Sequence, residues 1–410
     1  MKYKAPLISI AFFLLVNAGS AQTKLQTGIW RGVITNQTGN EIPFNFEVIN
    51  TPGKQHLAVI NGAERFKVDN ITAKGDSVFI KMPLFDSEFR LKQQGGELSG
   101  KWIRHLGDHN DEMAFKATAN TAWRFLKTPA KPLVNVTGRW AAIFGDGAKK
   151  DLTVGEFKQT GEKLTGTFLS TTGDYRYLEG IVSGNQLYLS CFDGGHAYTF
   201  TAKINGTKMT DGKYYAGLKS ITNWTATKNP NAKLPDAYSL TALKRGFKKI
   251  AFTFRDTKGN KVSLTDNRFK NKVVIVQIMG SWCPNCMDET NYFVNDYYEK
   301  YHKKGVEIVG LAYERTTDFA KSQKTLAQLK ARFNVPYPLL ITGYTNAAGE
   351  PIKSLPMLAD FKGFPTTIII DKKGDVRKIH TGFSGPGTGN YYAEFTKEFE
   401  GMTDNLLAEK

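Results

Sequence analysis

Cysteine is scarce in this chain. The three cysteines among 410 residues, Cys191, Cys283 and Cys286, are too few for a disulfide-stapled mini-domain or a cysteine-rich zinc module. Long hydrophobic runs are lacking too. The apolar stretch at residues 5–16 has 12 residues, against the roughly 20 needed to span a bilayer, and no second run comes near that length. Charge of one sign is in excess, Lys+Arg 55 against Asp+Glu 38 for a formal net charge of +17, but no long basic run exists. The basic residues come mostly in pairs, such as Lys149-Lys150 and Lys372-Lys373. They read as solvated surface and match no nucleic-acid motif. With 41% hydrophobic and 23% charged residues, the chain is neither fibrous nor broadly disordered. At about 150 residues per domain its length implies two or three domains.

Lys2 and Lys4 precede the apolar stretch, and Ala18-Gly19-Ser20-Ala21 follows it. This pattern predicts a signal peptide over residues 1–21, cleaved after Ala21. No cysteine follows the apolar stretch, so lipid attachment there is excluded. The expectation is export to the periplasm. Thiols in such a compartment stay reduced only with a supply of electrons.

From Thr23 to about Lys228 the pattern is that of strands. Phe44-Asn45-Phe46-Glu47-Val48 alternates, and Gly-containing turns such as Lys74-Gly75-Asp76 punctuate the runs. One unit occurs twice. Gly28-Ile29-Trp30 matches Gly138-Arg139-Trp140, Val78-Phe79-Ile80 matches Leu187-Tyr188-Leu189, Phe85-Asp86 matches Phe192-Asp193, and Gly96 matches Gly206. Near-constant shifts indicate duplication. The expected units are residues 23–128 and 134–228, each a small barrel or sandwich. Their Gly-x-Trp opening resembles lipocalin-type barrels, which permits a ligand cavity without showing one.

A Pro/Asn-rich break places a linker at residues 229–248, and the pattern then changes. Val273-Val274-Ile275-Val276-Gln277-Ile278 is a run expected for a strand covered on both faces. Residues 288–301 carry a helical stripe of Phe293, Val294, Tyr297, Tyr298 and Tyr301. A strand at 306–311, a helix at 318–333, strands at 366–370 and 376–379, and a helix at 391–407 follow. Strands alternating with helices imply an α/β fold over residues 249–410.

Gly280-Ser281-Trp282-Cys283-Pro284-Asn285-Cys286 joins the buried strand to the first of these helices. A cysteine at a helix N-terminus meets unsatisfied N–H groups that stabilise a thiolate. Pro284 suits the first helical turn. Zinc would need two further ligands, and no second CxxC or Cys–His pair is present. Reversible thiol–disulfide chemistry is the reading that remains beside a structural bridge.

The motif, with Glu289 three residues on and Gly363-Phe364-Pro365-Thr366-Thr367 before a strand, resembles the thioredoxin-fold disulfide reductases of the TlpA/ResA type, over about residues 249–410. With the two β units the chain also resembles exported multidomain versions in Bacteroides-like bacteria. The resemblance implies a cis Pro365 beside the CxxC, in a wall where a substrate chain pairs together with Trp282, Pro284 and Phe364. It implies no cofactor and no metal. Its partners would be disulfide-containing exported proteins and a membrane thiol-electron transporter, with no nucleic acid. Cys283, nearer the helix N-terminus, would be the nucleophile and Cys286 the resolving thiol. Glu289 reads either as the acceptor of the Cys286 proton or as a surface helix residue. Phe364 reads as substrate wall or as core.

Two other functional readings compete. A redoxin-type thiol peroxidase usually has Thr three residues before its reactive cysteine, where this chain has Gly280. The β units could instead form a partner-binding module with a regulatory redox domain. Cys191, in line with Leu187 and Leu189, reads as a buried inert thiol. His105, Asp108, His109 and Asp111 read as a solvated loop rather than a metal site, and the lone His196 and His380 carry no assigned chemistry.

Overall fold

The computed structural model describes residues 24–147 and 150–409. The expected signal peptide lies outside the described residues. Among those described, no helix is long and apolar enough to cross a membrane.

Period-2 sequence becomes half-buried strand: along Asn110–Ala119 buried and exposed residues alternate. The first sheet contains β1 (Gly28–Thr35), β2 (Glu41–Thr51), β3 (Lys54–Asn61), β4 (Glu64–Val68), β5 (Asn70–Lys74), β6 (Ser77–Lys81), β7 (Ser87–Gln94), β8 (Glu97–His105) and β9 (Asn110–Ala119). Their spatial order is β4-β3-β2-β1-β9-β8-β7-β6-β5. The second contains β10 (Gly138–Phe144), β11 (Asp151–Thr160), β12 (Lys163–Ser170), β13 (Gly173–Asp174), β14 (Leu178–Ser183), β15 (Gln186–Phe192), β16 (Ala197–Asn205), β17 (Lys208–Ala216) and β18 (Ser220–Lys228). Their order is β11-β10-β18-β17-β16-β15-β14-β12-β13, with β11 also pairing with β12.

The two sheets repeat one topology. In each, the first strand pairs with the ninth, which begins the run ninth, eighth, seventh, sixth, fifth. The two Gly-x-Trp openings are equivalent in detail. Trp30 Nε1 donates to Gln26 O and Trp140 Nε1 to Val136 O, each at 2.8 Å and each four residues back. The β11–β12 pairing closes the second sheet into a barrel. The first stays open between β4 and β5. The second barrel's interior is filled: the Phe168 ring lies 5.1 Å from Phe144, 5.1 Å from Phe200 and 5.2 Å from Trp224. Buried free Cys191 belongs to this core, and burial raises its thiol well above the ordinary value.

The third sheet contains β19 (Thr253–Asp256), β20 (Lys261–Ser263), β21 (Val273–Met279), β22 (Val306–Glu314), β23 (Leu339–Thr345), β24 (Thr366–Ile370) and β25 (Val376–Thr381), ordered β20-β19-β23-β22-β21-β24-β25. Every residue of β21 is buried, as its unbroken apolar run requires. It pairs parallel with β22 and antiparallel with β24. Helices Pro284–Tyr292, Phe319–Phe333 and Asn390–Ala408 cover the sheet. The stripe expected as one α-helix over 288–301 differs in detail. An α-helix over Pro284–Tyr292 passes into a π-helical stretch, Phe293–Tyr298, before Glu299–Tyr301. The wider turn seats the rings of Phe293 and Tyr297 against Phe399 of the last helix, with centroids 5.8 and 5.2 Å away. Residues 229–248 are tied down: Lys244 N–H donates to Met357 O at 2.9 Å, and Val376 N–H to Lys248 O at 2.7 Å.

The β units are joined by buried contacts. Phe192, at the end of β15, lies within the first unit's core, its ring 4.3 Å from Phe44 and 5.2 Å from Trp102. Arg124, its side chain 4% exposed, donates to Ile60 O in the first unit and Ser190 O in the second, and pairs with Glu179 at 3.3 Å. Its removal takes the buried cation from between the two units and its donors from the carbonyls of Ile60 and Ser190. Arg124→Ala is therefore expected to lower the unfolding free energy by about 3 kcal/mol or more, read from urea denaturation of the full chain. A loss under 1 kcal/mol would show that water replaces the guanidinium.

Candidate active site

The buried strand β21 delivers the chain to the motif, and the helix begins where sequence chemistry predicts. Cys283 is the N-cap and Pro284 the first helical residue. The Cys286 N–H donates to Cys283 Sγ at 3.2 Å, one of the four N–H groups that a helix start leaves without partners. Cys283 and Cys286 are joined in a disulfide, with Cα atoms 5.2 Å apart. Cys283 is 4% exposed and Cys286 fully buried.

The Phe364–Pro365 peptide is cis, as the resemblance implies. Pro365 is buried, whereas Phe364, Trp282 and Pro284 are half-buried. Phe364 and Trp282 meet edge to face at 5.3 Å. Phe364 also touches Phe361 and Tyr313, with ring centroids 4.9 and 5.8 Å away, so it is core and wall at once. Trp282 is fixed by its Nε1 donating to Tyr313 O at 2.8 Å.

Glu289 is no surface residue. It is fully buried, accepting from Thr367 Oγ1 at 2.6 Å and from Gln277 Nε2 at 2.9 Å. Gln277 Nε2 also lies 3.4 Å from Cys286 O, which links the carboxylate to the second cysteine. Burial pushes Glu289 up to about 7, against the pull of its two hydrogen bonds. A carboxyl held there titrates where thiol chemistry operates.

Several residues at the site carry no motif in the sequence. Gln277 is legible afterwards as the lone polar residue of the β21 run. Glu314, at the end of β22, accepts from Ser281 N–H at 2.8 Å and Ser281 Oγ at 2.6 Å, which pins the motif loop. Asp288, beside Glu289, pairs with Arg176 of the second β unit at 2.5 Å. Burial pushes Asp288 up to about 7 against the pull of Arg176. Arg176 also reaches Glu64 of the first unit at 2.5 Å. The chemistry thus sits at a junction of all three sheets.

The remaining candidates separate. His105 and Asn110 close the β8–β9 hairpin with a 2.9 Å contact, Asp108 and His109 pair with each other, and Asp111 turns to Arg104. Among the described residues no cluster of three or more His, Cys, Asp or Glu is placed to hold a metal. His196 pairs with Asp193. His380 is buried, and desolvation lowers it to about 4.

The Glu289 environment gives a stability test. A folded-state value near 7 against an unfolded value near 4.5 means the protonated carboxyl favours folding below pH 4.5. That contribution is lost as pH rises through 7 and amounts to roughly 3 kcal/mol. Glu289→Gln is expected to fall behind or match the native chain at pH 5 and to exceed it at pH 8, in denaturation of the oxidised protein. Parallel pH curves for the two proteins would refute the buried, elevated carboxyl.

A redoxin family model matches residues 231–394. The thiol-disulfide oxidoreductase ResA of Bacillus thuringiensis subsp. konkukian (strain 97-27) is 31% identical over 147 residues, covering 36% of this chain and 73% of that protein. ResA of Geobacillus kaustophilus (strain HTA426) is 28% identical over 142 residues, 35% of this chain and 72% of that one. Among solved structures, a putative thiol:disulfide interchange protein DsbE from Chlorobium tepidum aligns with TM-score 0.29 and 21% identity, over 38% of this chain and 98% of its own. With its strand–CxxC–helix motif and cis-proline loop, the chain belongs to the redoxin family and is a thiol-disulfide oxidoreductase of the TlpA/ResA type.

Proposed function

We propose that this protein is exported and reduces protein disulfides through Cys283 and Cys286. The observation that carries the reading is the helix-capping Cys283–Cys286 pair with an elevated, buried Glu289 beneath it. In the reduced enzyme the Cys283 thiolate, favoured by the helix N-terminus, attacks a substrate disulfide. A mixed disulfide forms and one substrate thiolate leaves. The Glu289 carboxylate takes the Cys286 proton. The Cys286 thiolate then attacks Cys283 Sγ, re-forms the internal disulfide and releases the second substrate thiolate. Two electrons pass from enzyme to substrate, and a membrane thiol-electron transporter restores them. The apolar stretch flanked by Lys4 and Ala18-Gly19-Ser20-Ala21 supports export.

The peroxidase alternative fits less well. A Cβ on Gly280 would run into the Trp282 indole, so the position that would carry a Thr in such enzymes has no room for one here.

Trapping tests the roles. The Cys286→Ala full chain is expected to accumulate a mixed disulfide with a protein substrate such as insulin, and Cys283→Ser to accumulate none. Glu289→Gln is expected to slow multiple turnover on the order of a hundredfold. It should also erase the rise in activity as pH climbs through about 7, since the carboxyl must be ionised to take the proton. An unchanged pH profile would return Glu289 to a structural role.

A further inference from the structure

The nucleophile of a protein disulfide reductase needs an open approach, yet Cys283 is 4% exposed. What covers it is the chain itself. The turn between β12 and β14 of the second unit crosses from the motif to the cis-proline loop. At one end Asn285, between the two cysteines, faces this turn. With its amide oriented to satisfy both groups, it donates to Asp174 O at 3.1 Å and accepts from Asp174 N–H at 3.3 Å. At the other end Thr172 lies against Gly363, two residues before Pro365. A Cβ on Gly363 would sit 2.5 Å from Thr172 Cγ2. Thr171 O would lie 2.8 Å from a Cβ on Gly382, and Gly382 N–H donates to Pro365 O at 2.8 Å. Asp174 Oδ2 accepts the Gly385 N–H at 2.7 Å, and Arg176 grips Asp288.

The first unit covers the other side. Phe85 and Asp86 form a turn with φ of 67° and 43°, a conformation that an aromatic residue seldom adopts. Phe85 lines two clefts, one with Ser281 and Trp282 and one with Met287 and Asp288. The cleft left beside the motif, lined by Phe85, His105, Ser281, Trp282 and Arg315 among others, is about 230 Å³. That is less than a drug-sized ligand commonly fills and far less than a polypeptide loop needs.

We propose that the Thr171–Thr172–Gly173 turn is a built-in competitor for the substrate groove and determines which disulfides reach Cys283. Seated, it occupies the space between the CxxC and the cis-proline loop where an extended substrate chain would lie, and only small disulfides are admitted. A protein disulfide reacts from the fraction of molecules whose turn has withdrawn, so its apparent rate is the intrinsic rate scaled by that fraction. The turn is tethered, so its effective concentration at the groove is high. This inference rests on Cys283 as nucleophile, as proposed above.

The test compares two substrates on the reduced full-length protein: bis(2-hydroxyethyl) disulfide as the small disulfide and insulin as the protein disulfide. Two variants loosen the turn. Asp174→Ala removes its bonds to Gly385 and to the Arg176 N–H, and Thr172→Gly removes the side chain seated on Gly363 while keeping every Asp174 contact. The expected result is a fivefold or larger rise in the insulin-to-small-disulfide rate ratio in at least Thr172→Gly. An unchanged ratio in both variants would overturn the competitor role and leave the nucleophile assignment standing. If the unaltered protein reduced neither substrate, the underlying reading would fall and this one with it.

Discussion

One buried guanidinium sets the geometry on which the chemistry depends. Arg176 is 7% exposed and pairs with Glu64 of the first β unit and Asp288 of the active-site helix. A charge removed from water is tolerated only while paired, and breaking one leg costs about 3–5 kcal/mol because its partner stays buried and uncompensated. The three sheets are thereby held in one arrangement around the helix that carries the cysteines. The backbone at Arg176 has φ 57°, a conformation of order 1–3 kcal/mol above the ordinary regions. Two ion pairs and the Asp174 turn, whose carboxylate accepts the Arg176 N–H at 2.5 Å, over-determine it.

Beneath that junction two buried carboxyls differ in their neighbours. Burial raises both Glu289 and Glu314. Glu314 has three hydrogen-bond donations, two from Ser281 and one from Thr325, and the Arg315 charge nearby. Glu289 has two donors and no cation among the causes that shift it. At both sites the hydrogen bonds favour the charged form and oppose the rise that burial causes. Glu314 fits an anchor for the motif loop. Glu289, linked through Gln277 to Cys286, is the group given the proton in the proposed cycle.

The parts legible in the sequence are those whose physics is local. A strand buried on both faces, a cysteine at a helix start and Pro284 in the first turn each constrain a few consecutive residues, and they point to Cys283 and Cys286 without any tertiary knowledge. The duplication was legible because both copies need the same Gly at φ 109° and 113° before a Trp that bonds four residues back. The π-helical stretch was not legible, since it answers to rings on a helix about a hundred residues away. Nor was the part of the β units in the site. Thr172, Asp174 and Arg176 follow no motif, and Asp108-His109 drew attention to a hairpin tip whose hydrogen bonds are local. Residues 229–248 read as a linker from composition, yet their backbone groups pair with the third domain.

The repeat also explains why the two β units meet the redox domain unequally. Phe192 ends the sixth strand of the second copy, whereas Phe85 stands in the turn after the sixth strand of the first. Phe192 points back into the first unit, which is open between β4 and β5 and takes that ring among Phe44, Phe89 and Trp102. The turn that holds Phe85 lies at the same seam, its ring meeting His196 of the second unit edge to face at 5.1 Å. Gly194 and Gly195 of the second unit support it, leaving no space for a Cβ against Met82 or the Phe85 ring. The aromatic side chain is thereby held at the cleft beside Ser281 and Trp282. Stacking the closed second unit on the open first one accounts for both the filled mouth of the first and the wall that its turn presents to the motif.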